Sequence, residues 1–542
     1  MMSLSQRCSF VWAAVLALGL ASCKGGTNGQ SATALDPPVE PDPPGDVPAF
    51  PFVDHLEQSS ITAGDVQFEE LFVFGDELFE AEFNALDGVG VARLPDGCDL
   101  PARFSRVPPG CGRPTGPNGQ ACGGCHNSPL PTSAGEAASN VLQDPARQGL
   151  PPFNTRNATH LFGSAILQRL AEEMTEDLHA IREGALASAI TGGETISRSI
   201  ASKGVSFGTL RVRITSDGTV VWDLSQVEGV DPDLVVRPYG WKGDVPTLRA
   251  FCRGAADREL GMQPEEITLK LGDDDPDGDG VTTEFSVGDV TSLVVYVGAQ
   301  PVPKRAGELA EAGLAEPPSA ELAASARRGE ALFGTIGCAS CHRTSLTLAD
   351  IQFDEPTSRG RGAYFDEELG DLDSEFDPDR PFSFDLSRDG DQPRLSSGSS
   401  EFAIELFGDL KRHNMGASLA DAQATPVETA NGDQLTTSLA SLPTSVEVDG
   451  DGRVSIEEQF FLTAELWGVG NTGPWLHDGR AASLDEAIAL HGVDDPPAVG
   501  DLARSEAQES RDAFLALSSG ERADVVQFLK SLVLFRVEGG EE

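Results

Sequence analysis

The motif Cys338-Ala339-Ser340-Cys341-His342 decides the fold, and the same motif occurs earlier in the chain as Cys122-Gly123-Gly124-Cys125-His126. In an exported protein, Cys-x-x-Cys-His is the attachment signature of c-type haem. The two thiols bond to the vinyl groups of the porphyrin and the histidine binds the iron, so the cofactor cannot be lost outside the cell. The sequence therefore predicts two covalently bound haem c groups with His126 and His342 as iron ligands.

Two other chemistries fit one such motif taken alone. It is also compatible with a redox-active dithiol or with half of a zinc site. A zinc site would need further ligand pairs nearby, and a thiol oxidoreductase would not need a histidine in both copies. Two copies behind an export signal favour haem, with Cys122, Cys125, Cys338 and Cys341 as the attachment residues.

The N-terminus has the pattern of an export signal. Residues 1–22 contain one cation, Arg7, and then an apolar run from Phe10 to Ala21, which is too short for a permanent transmembrane helix. The run ends in Leu-Ala-Ser before Cys23 and resembles the lipobox of bacterial lipoproteins. We expect a protein of the periplasm or cell surface that is anchored to the membrane through lipid on Cys23; the alternative is an ordinary signal peptide with a chance cysteine.

Residues 23–60 are predicted to be a flexible tether. Gly, Pro, Ser, Thr and Asp prevail from Lys24 to Pro51, so this segment cannot bury enough apolar surface to fold. The rest of the chain divides into two predicted domains, 61–305 and 306–542. The predicted fold class is mainly α, with two cytochrome c-like domains that carry long irregular and short β insertions.

The flanks of the two motifs support this division. A Gly-x-x-Leu-Phe segment precedes each motif, at 75–79 and at 329–333, and is typical of the helix that packs on a haem. Each half also closes with a predicted capped helix, 286–297 and 518–535, in which a serine is followed three residues later by Asp289 or Glu521.

The composition limits the partners. The chain has 39 Lys and Arg against 86 Asp and Glu, a formal net charge of −47. Phosphate backbones require clustered cations, so we expect no nucleic acid partner. An acidic surface would steer a small basic electron carrier, although it is also compatible with a surface that serves solubility alone.

Three of the nine cysteines lie outside the signal, the lipobox and the motifs. Cys98 and Cys111 belong to one loop-rich stretch and form the hypothetical disulfide pair of an oxidising compartment. Cys252 is then left as a buried thiol.

Several further segments resemble the di-haem oxidoreductase family, whose members are described as peroxidases or thiol oxidoreductases and are related to bacterial di-haem cytochrome c peroxidase. The resemblance extends from about Phe68 to Phe535. The segments that carry it are Ala-Arg-Phe-Ser-Arg at 102–106, Leu-Phe-Gly at 161–163, Tyr-Gly-Trp-Lys at 239–242, His-Asn-Met-Gly at 413–416, Leu-Trp-Gly-Val-Gly at 466–470, Leu-His-Asp-Gly-Arg at 476–480 and Glu-Ala-Ile-Ala-Leu-His at 486–491.

The resemblance implies a ligand set for the C-terminal haem. In the di-haem peroxidases a histidine lies between the haems, and the sixth ligand of the electron-transferring haem follows fourteen residues later. These positions are His477 and His491 here. The relatives usually have Met as that ligand, so His491 would give a bis-His haem of lower potential. Met415 is the rival sixth ligand, and a surface histidine is the alternative for His491.

The resemblance also implies candidate catalytic residues. Trp241 would lie between the haems and assist electron passage, as a tryptophan does in the relatives, and His477 would lie there too; a buried aromatic of the core is the alternative for Trp241. In a predicted helix at 161–183, Gln168 and Glu172 could reach the distal pocket of the N-terminal haem, unless they belong to a solvated face. His160 is a candidate distal ligand, at a position where the relatives tend to be rich in proline.

A calcium site is predicted separately. Asp273, Asp275, Asp277 and Glu284, with Gly278 in between, fit the spacing of a twelve-residue calcium loop. The alternative is a solvated acidic turn. A similar pattern from Glu447 to Glu458 is more typical of a hairpin.

Together these features predict an exported di-haem c-type oxidoreductase that reduces a peroxide-like small substrate. Electrons would come from a small soluble donor, a cytochrome c or a cupredoxin, and pass through the C-terminal haem to the N-terminal haem on His126. Two alternatives stay open: a di-haem oxidase that acts on another substrate, such as a tryptophan of a partner protein or a polymeric hydrocarbon, and a non-enzymatic relay in which both haems are six-coordinate.

Overall fold

A computed structural model describes residues 52, 54–89, 119–136, 140–143, 153–271, 275–276, 279–357, 381–386, 402–422, 424–427, 439–448 and 454–534 of the chain. Its helices are α1 (Gln58–Thr62), α2 (Phe68–Glu80), α3 (Ser164–Gly192), α4 (Leu248–Ala255), α5 (Glu265–Leu271), α6 (Val287–Gly298), α7 (Ala306–Glu311), α8 (Ala320–Thr335), α9 (Leu484–Ala489), α10 (Gln508–Ala516) and α11 (Ser519–Lys530). Short 3₁₀ turns at Cys122–Gly124 and Cys338–Ser340 carry the two motifs, and a π turn at Ala256–Leu260 continues α4.

The strands are short except for one group of three. They are β1 (Asn140–Gln143), β2 (Phe153–Arg156), β3 (Ile196–Ser202), β4 (Val205–Ile214), β5 (Val220–Val227), β6 (Lys304–Arg305), β7 (Leu346–Leu348), β8 (Gln352–Glu355), β9 (Phe382–Asp385), β10 (Phe402–Ile404), β11 (Arg412–Asn414), β12 (Thr425–Pro426), β13 (Leu439–Ser441), β14 (Val446–Val448), β15 (Val454–Ile456), β16 (Phe460–Leu462) and β17 (Leu532–Val533). β3, β4 and β5 form an antiparallel meander to which β13 adds in parallel. The β insertions are thus longer than the sequence predicts, while helix still exceeds strand.

The same helix crossing occurs twice. α2 packs on α6 at Gly75, where an added Cβ would overlap the carbonyl oxygen of Ser292. α8 packs on α11 at Gly329, where it would overlap the carbonyl oxygen of Asp524. In each case the glycine permits the backbones to approach more closely than any other residue could.

The predicted caps of the closing helices are confirmed. The Ser286 hydroxyl accepts from the amide of Asp289 at 3.0 Å, and the Asp289 carboxylate accepts from the Ser286 amide at 2.9 Å. Ser518 and Glu521 make the same reciprocal pair at the start of α11. The second helix ends at Lys530, earlier than predicted, because the chain turns into β17, which pairs with β6.

α3 packs its apolar stripe on the meander. Leu170, Met174 and Leu178 are buried in one cluster with Ile200 and Phe207 of the sheet. The stripe agrees with the sequence analysis, but α3 continues nine residues past the predicted end at Glu183 because alanines prolong the helical pattern.

The predicted tether ends earlier than residue 60. His55 Nδ1 lies 2.7 Å from the carboxylate of Asp289, and the Leu56 amide donates to the same carboxylate at 2.9 Å. Gln58 is buried and its side-chain oxygen accepts from Thr291 at 2.7 Å. This segment therefore caps and covers α6, and its polar side chains find partners there.

The described residues from Phe52 onward belong to one compact unit, and the boundary near residue 305 stays a prediction. The signal, Cys23, the Cys98–Cys111 pair and segment 102–106 lie outside the described residues, as does the turn of the 447–458 pattern, whose β14–β15 pairing confirms the hairpin. Within the described parts, no helix is both long enough and apolar enough to cross a bilayer.

Candidate active site

The first motif presents a histidine with one nitrogen engaged and one available. His126 Nδ1 lies 2.8 Å from the carbonyl oxygen of Thr159 and 3.2 Å from that of Ser133. Because a carbonyl can only accept, Nδ1 carries the proton and Nε2 keeps its lone pair. Burial lowers the pKa of His126, which also favours the neutral imidazole that metals bind.

The second motif repeats this geometry. His342 Nδ1 lies 3.0 Å from the carbonyl oxygen of Phe407, so its Nε2 is likewise available. The ring of Phe79 lies 6.2 Å from that of His126 at 50°, and the ring of Phe333 lies 6.2 Å from that of His342 at 50°. Both phenylalanines end a Gly-x-x-Leu-Phe segment, so the predicted repeat extends to the environment of the histidine.

The first cysteine of each motif does not have the character of a catalytic thiolate. Burial raises the pKa of Cys122 to about 12 and that of Cys338 to about 11. A redox-active dithiol needs a lowered pKa, because the thiolate is the nucleophile. The surroundings of both motifs therefore disfavour the dithiol alternative.

A cavity of about 260 Å³ lies against His342. His491 also lines it, and His491 Nδ1 lies 2.8 Å from the carbonyl oxygen of Ala487, which leaves its Nε2 available. Burial and, next, the proximity of His491 lower the pKa of His342 to about 4, and burial lowers that of His491. The lowered pKa values of both side chains favour the neutral imidazoles that a bis-His iron site requires.

Two side chains of the 413–416 segment could bind iron, His413 and Met415, and they differ in whether their donor atoms are available. His413 Nε2 lies 2.9 Å from Asp409 and Nδ1 lies 2.8 Å from Glu506. Although burial opposes it, the hydrogen bonds to these carboxylates raise the pKa of His413 well above its ordinary value. A protonated imidazole with both nitrogens engaged cannot bind iron, whereas Met415 lines the cavity and remains the rival to His491.

Trp241 and His477 lie side by side at the same cavity. Their ring centroids are 6.4 Å apart at 71°. Asn157 joins the two loops, since its carbonyl accepts from the Trp241 indole at 2.8 Å and its amide donates to the His477 carbonyl at 2.7 Å. His477 also stacks on Phe461 at 4.4 Å. The structure therefore brings these two predicted residues together.

Gln168 and Glu172 are buried rather than solvated, which removes the alternative of a solvated face. Gln168 Nε2 donates to Glu172 at 2.9 Å, and the Gln168 oxygen accepts from the Leu248 amide at 2.7 Å, at the start of α4. Arg169 pairs with Glu172. Neither residue lines the cavity at the second motif, and their predicted role at the N-terminal haem stays a prediction.

The cavity also contains an acid–base pair of which the sequence analysis predicted only one member, His160. Glu465 and His160 both line the cavity, with Oε1 3.8 Å from Nε2. Burial raises the pKa of Glu465 to about 7. Both ring nitrogens of His160 are buried and lack a hydrogen-bond partner among the described residues. The available signal was a lone carboxylate within the apolar run from Phe460 to Trp467.

A buried charge cluster lies beside His477, whose Nε2 is 3.7 Å from Asp421 Oδ1. Arg156 binds Asp421 with two hydrogen bonds of 2.8 and 2.6 Å. Lys242 Nζ lies 3.5 Å from Asp421 and 4.2 Å from the Phe461 ring centre. Burial lowers the pKa of Lys242 to about 8. No sequence motif pointed to Asp421, because its partners are distant in the chain.

The predicted calcium loop lies partly outside the described residues, because Asp273 and Asp277 are not among them. Asp275 accepts from backbone amides of its own turn, and Glu284 accepts from Gln263 at 2.6 and 3.1 Å. Across the described ranges no three His, Cys, Asp or Glu side chains are grouped to hold a metal ion. The helix α5 lies directly before the predicted calcium loop in the chain.

The residues at both motifs fit haem. Each motif histidine is half-buried with its Nδ1 bonded to a backbone carbonyl, each lies beside a phenylalanine ring, and the cavity at the second motif is lined mainly by apolar residues. This chemistry suits a large apolar cofactor that contributes an iron atom.

Comparison with known proteins agrees with this assignment. Residues 445–532 match the family described as "Di-haem oxidoreductase, putative peroxidase", which confirms the predicted family resemblance for this part of the chain. No curated protein sequence matches the chain. With the two motifs, the family match supports a di-haem oxidoreductase that uses haem cofactors.

Two solved structures are similar at low identity. A hydrazine synthase chain of Kuenenia stuttgartiensis is 13% identical with a TM-score of 0.32, over 92% of this chain and 100% of that one. A MauG-like protein associated with microbial copper homeostasis is 18% identical with a TM-score of 0.25, over 59% of this chain and 78% of that one. These scores are too low to support an argument about mechanism.

Proposed function

We propose that this chain is an exported di-haem peroxidase that takes electrons from a small soluble donor, a cytochrome c or a cupredoxin, and reduces hydrogen peroxide to water. The observation that carries the proposal is the pair of equivalent histidine sites with Trp241 and His477 in contact at the cavity beside them. Covalently bound haem would supply the iron that exchanges electrons and activates peroxide.

The C-terminal site serves electron entry in this proposal. His342 and His491 would hold the iron through their Nε2 atoms, which their Nδ1 bonds to backbone carbonyls orient. Two neutral imidazoles lower the reduction potential relative to His/Met ligation. The acidic chain favours a basic donor, because opposite charges accelerate encounter.

The N-terminal site serves peroxide in this proposal, with His126 as the iron ligand. Cleavage of the O–O bond consumes protons. Burial raises the pKa of Glu465 to about 7, and this side chain lines the cavity at the second motif with its Oε1 3.8 Å from His160 Nε2. The proposal therefore assigns this pair to proton exchange at that cavity, apart from the peroxide site.

The test is steady-state peroxide consumption by the full-length protein with both haems and a reduced donor. His126→Ala should abolish turnover while the spectrum of the C-terminal haem is retained. His55→Gln is the matched control, because His55 belongs to the same half but pairs with Asp289 away from the motif. Unchanged turnover in His126→Ala would end the assignment, and a protein with only low-spin iron in every redox state would be a relay.

A further inference from the structure

His491 follows a helix that is too short to hold it in place alone. α9 has only 6 residues, Leu484–Ala489, and a turn at 490–491 comes directly after it. A helix of this length is not stable by itself in water, because forming its first turn costs more than the few remaining residues return. The carbonyl groups of its last turn also lack partners within the helix. The position of His491 therefore depends on contacts with another part of the chain.

Gln508, the first residue of α10, holds the backbone that follows His491. Its side-chain oxygen accepts from the Val493 amide at 2.9 Å, and its side-chain nitrogen donates to the Val493 carbonyl at 2.8 Å. The same nitrogen donates to the Asp512 carboxylate at 3.0 Å. Since a carboxylate oxygen can only accept, Asp512 fixes which end of the Gln508 amide is the donor. One buried side chain thus satisfies both backbone groups of Val493, two residues after His491.

Gly492, between His491 and Val493, permits this close approach. A Cβ added at Gly492 would lie 2.5 Å from the side-chain oxygen of Gln508, and the next two atoms that it would meet belong to the same amide. Any residue other than glycine would therefore push the Gln508 amide away from the backbone. The amide packs directly against the residue that adjoins His491.

Arg511, in the next turn of α10, holds the backbone that precedes His491. Its Nε donates to the Ala489 carbonyl at 3.0 Å, and its Nη1 donates to the Val493 carbonyl at 3.3 Å. Ala489 is the last residue of α9, so this bond supplies a partner for a carbonyl at the end of the helix. A third nitrogen of Arg511 donates to the Asp494 carboxylate at 2.5 Å. α10 therefore bonds to the chain on both sides of His491.

We infer that Gln508 and Arg511 are positioning residues for His491, which hold the backbone at 489–493 so that the imidazole of His491 stays on the iron of the C-terminal haem. The inference rests on the proposed function, in which His491 binds that iron, and deepens it by assigning what retains the ligand. The Nδ1 bond to the Ala487 carbonyl orients the ring, but Ala487 belongs to the same short helix and moves with it. Groups that hold a metal ligand in place typically change its affinity by about 10–100-fold.

The test measures how readily His491 leaves the iron. Carbon monoxide is the probe, because it binds ferrous haem only where a coordination position is free and must otherwise wait for the protein ligand to dissociate. Gln508→Leu keeps a side chain of similar size but loses both bonds to Val493. In the reduced holoprotein we expect the ligand-limited phase of carbon monoxide binding to become at least about tenfold faster. One reduction potential should shift upward, since weaker imidazole ligation raises it, and the haem content should stay unchanged.

Three further variants separate release of His491 from other effects. Glu509→Leu is the matched control, because Glu509 follows Gln508 on α10 and is exposed, and it should bind carbon monoxide like the wild type. Gly75→Ala should lower the stability of the protein at the α2–α6 crossing and leave the carbon monoxide rate unchanged, so that it controls for a general loss of stability. His491→Ala identifies the haem that is observed, because its ligand-limited phase should disappear.

Arg511→Lys keeps the inference testable if Gln508→Leu does not fold. It retains a positive charge beside Asp494 but loses the Nε bond to Ala489, and the ligand-limited phase should become severalfold faster. Wild-type carbon monoxide rates and potentials in whichever variant folds would overturn the inference, as would an unchanged rate in His491→Ala or an equally fast rate in Gly75→Ala. Failure of the peroxidase proposal is a separate outcome, since peroxide would not be consumed while the carbon monoxide pattern would persist.

Discussion

Trp241 and His477 occupy the third position of two loops, 239–245 and 475–481, that are each closed by an antiparallel bridge, and their rings meet with centroids 6.4 Å apart at 71°. The contact joins one loop from each side of the predicted boundary near residue 305. Asn157 bonds to both loops through its backbone and, at 2.7 Å, through its side chain to the carbonyl of Pro474. The contact is therefore fixed in position, as a path for electrons between two sites would require.

Replacement of Trp241 should slow electron passage without altering either haem. Trp241→Phe keeps an aromatic ring but loses the indole bond to Asn157. We expect reoxidation of the C-terminal haem by peroxide to become severalfold slower, while the spectra of both haems are retained. Stopped-flow absorption measures this rate.

Trp222→Phe is the matched control, because Trp222 lies in β5 within the core of the sheet and away from the cavity. Equal rates for the two variants would contradict a role of Trp241 in electron passage.

The helix crossing at Gly329 should tolerate no added methyl group. In Gly329→Ala the new Cβ would overlap the carbonyl oxygen of Asp524, and relief of such overlap typically costs about 1–3 kcal/mol. Gly334→Ala in the same helix meets no atom within 4 Å and should stabilise the protein by about 0.5–1 kcal/mol. Denaturant unfolding of the holoprotein compares the two, and a Gly329→Ala protein as stable as Gly334→Ala would refute the crossing.

Local patterns made much of this structure predictable. The Gly-x-x-Leu-Phe segments, the serine caps and the Cys-x-x-Cys-His turns each lie within a few residues of chain, where spacing alone fixes geometry. The predicted ends of the last helix and of the tether were wrong because contacts between distant parts of the chain determine them. α11 stops at Lys530 because β17 pairs with β6, and the supposed tether folds onto α6 because Asp289 accepts hydrogen bonds from it.

The site residues that were missed depend on contacts between distant parts of the chain. Asp421 binds Arg156 across 265 positions. The carbonyl groups that orient His126 and His342 belong to Thr159 and Phe407, which no side-chain motif could indicate. Glu465 stands out only when its burial is known, since a single carboxylate in an apolar run has no periodicity of its own.

Glu465 should make stability depend on pH between its unfolded and folded pKa values. Burial raises its pKa from 4.5 to about 7, so the folded state binds a proton more tightly than the unfolded state. The contribution of Glu465 to stability is therefore greatest below pH 4.5 and falls by about 3 kcal/mol as the pH rises to 7. Glu465→Gln should remove this fall, whereas Glu228→Gln, at a side chain that is 58% exposed, should retain it.

The reduction potential of the C-terminal haem should distinguish His491 from Met415. His491→Met replaces an imidazole by a thioether, and thioether ligation raises the potential of a haem. We therefore expect spectroelectrochemistry to show one of the two potentials shifted upward in His491→Met and both unchanged in Met415→Leu, which keeps an apolar side chain of similar size at the cavity wall. His413 should not compensate in either variant, because Asp409 and Glu506 engage both of its nitrogens. If Met415→Leu were to lower a potential and His491→Met were to change neither, then Met415 would be the ligand and the bis-His assignment would be wrong.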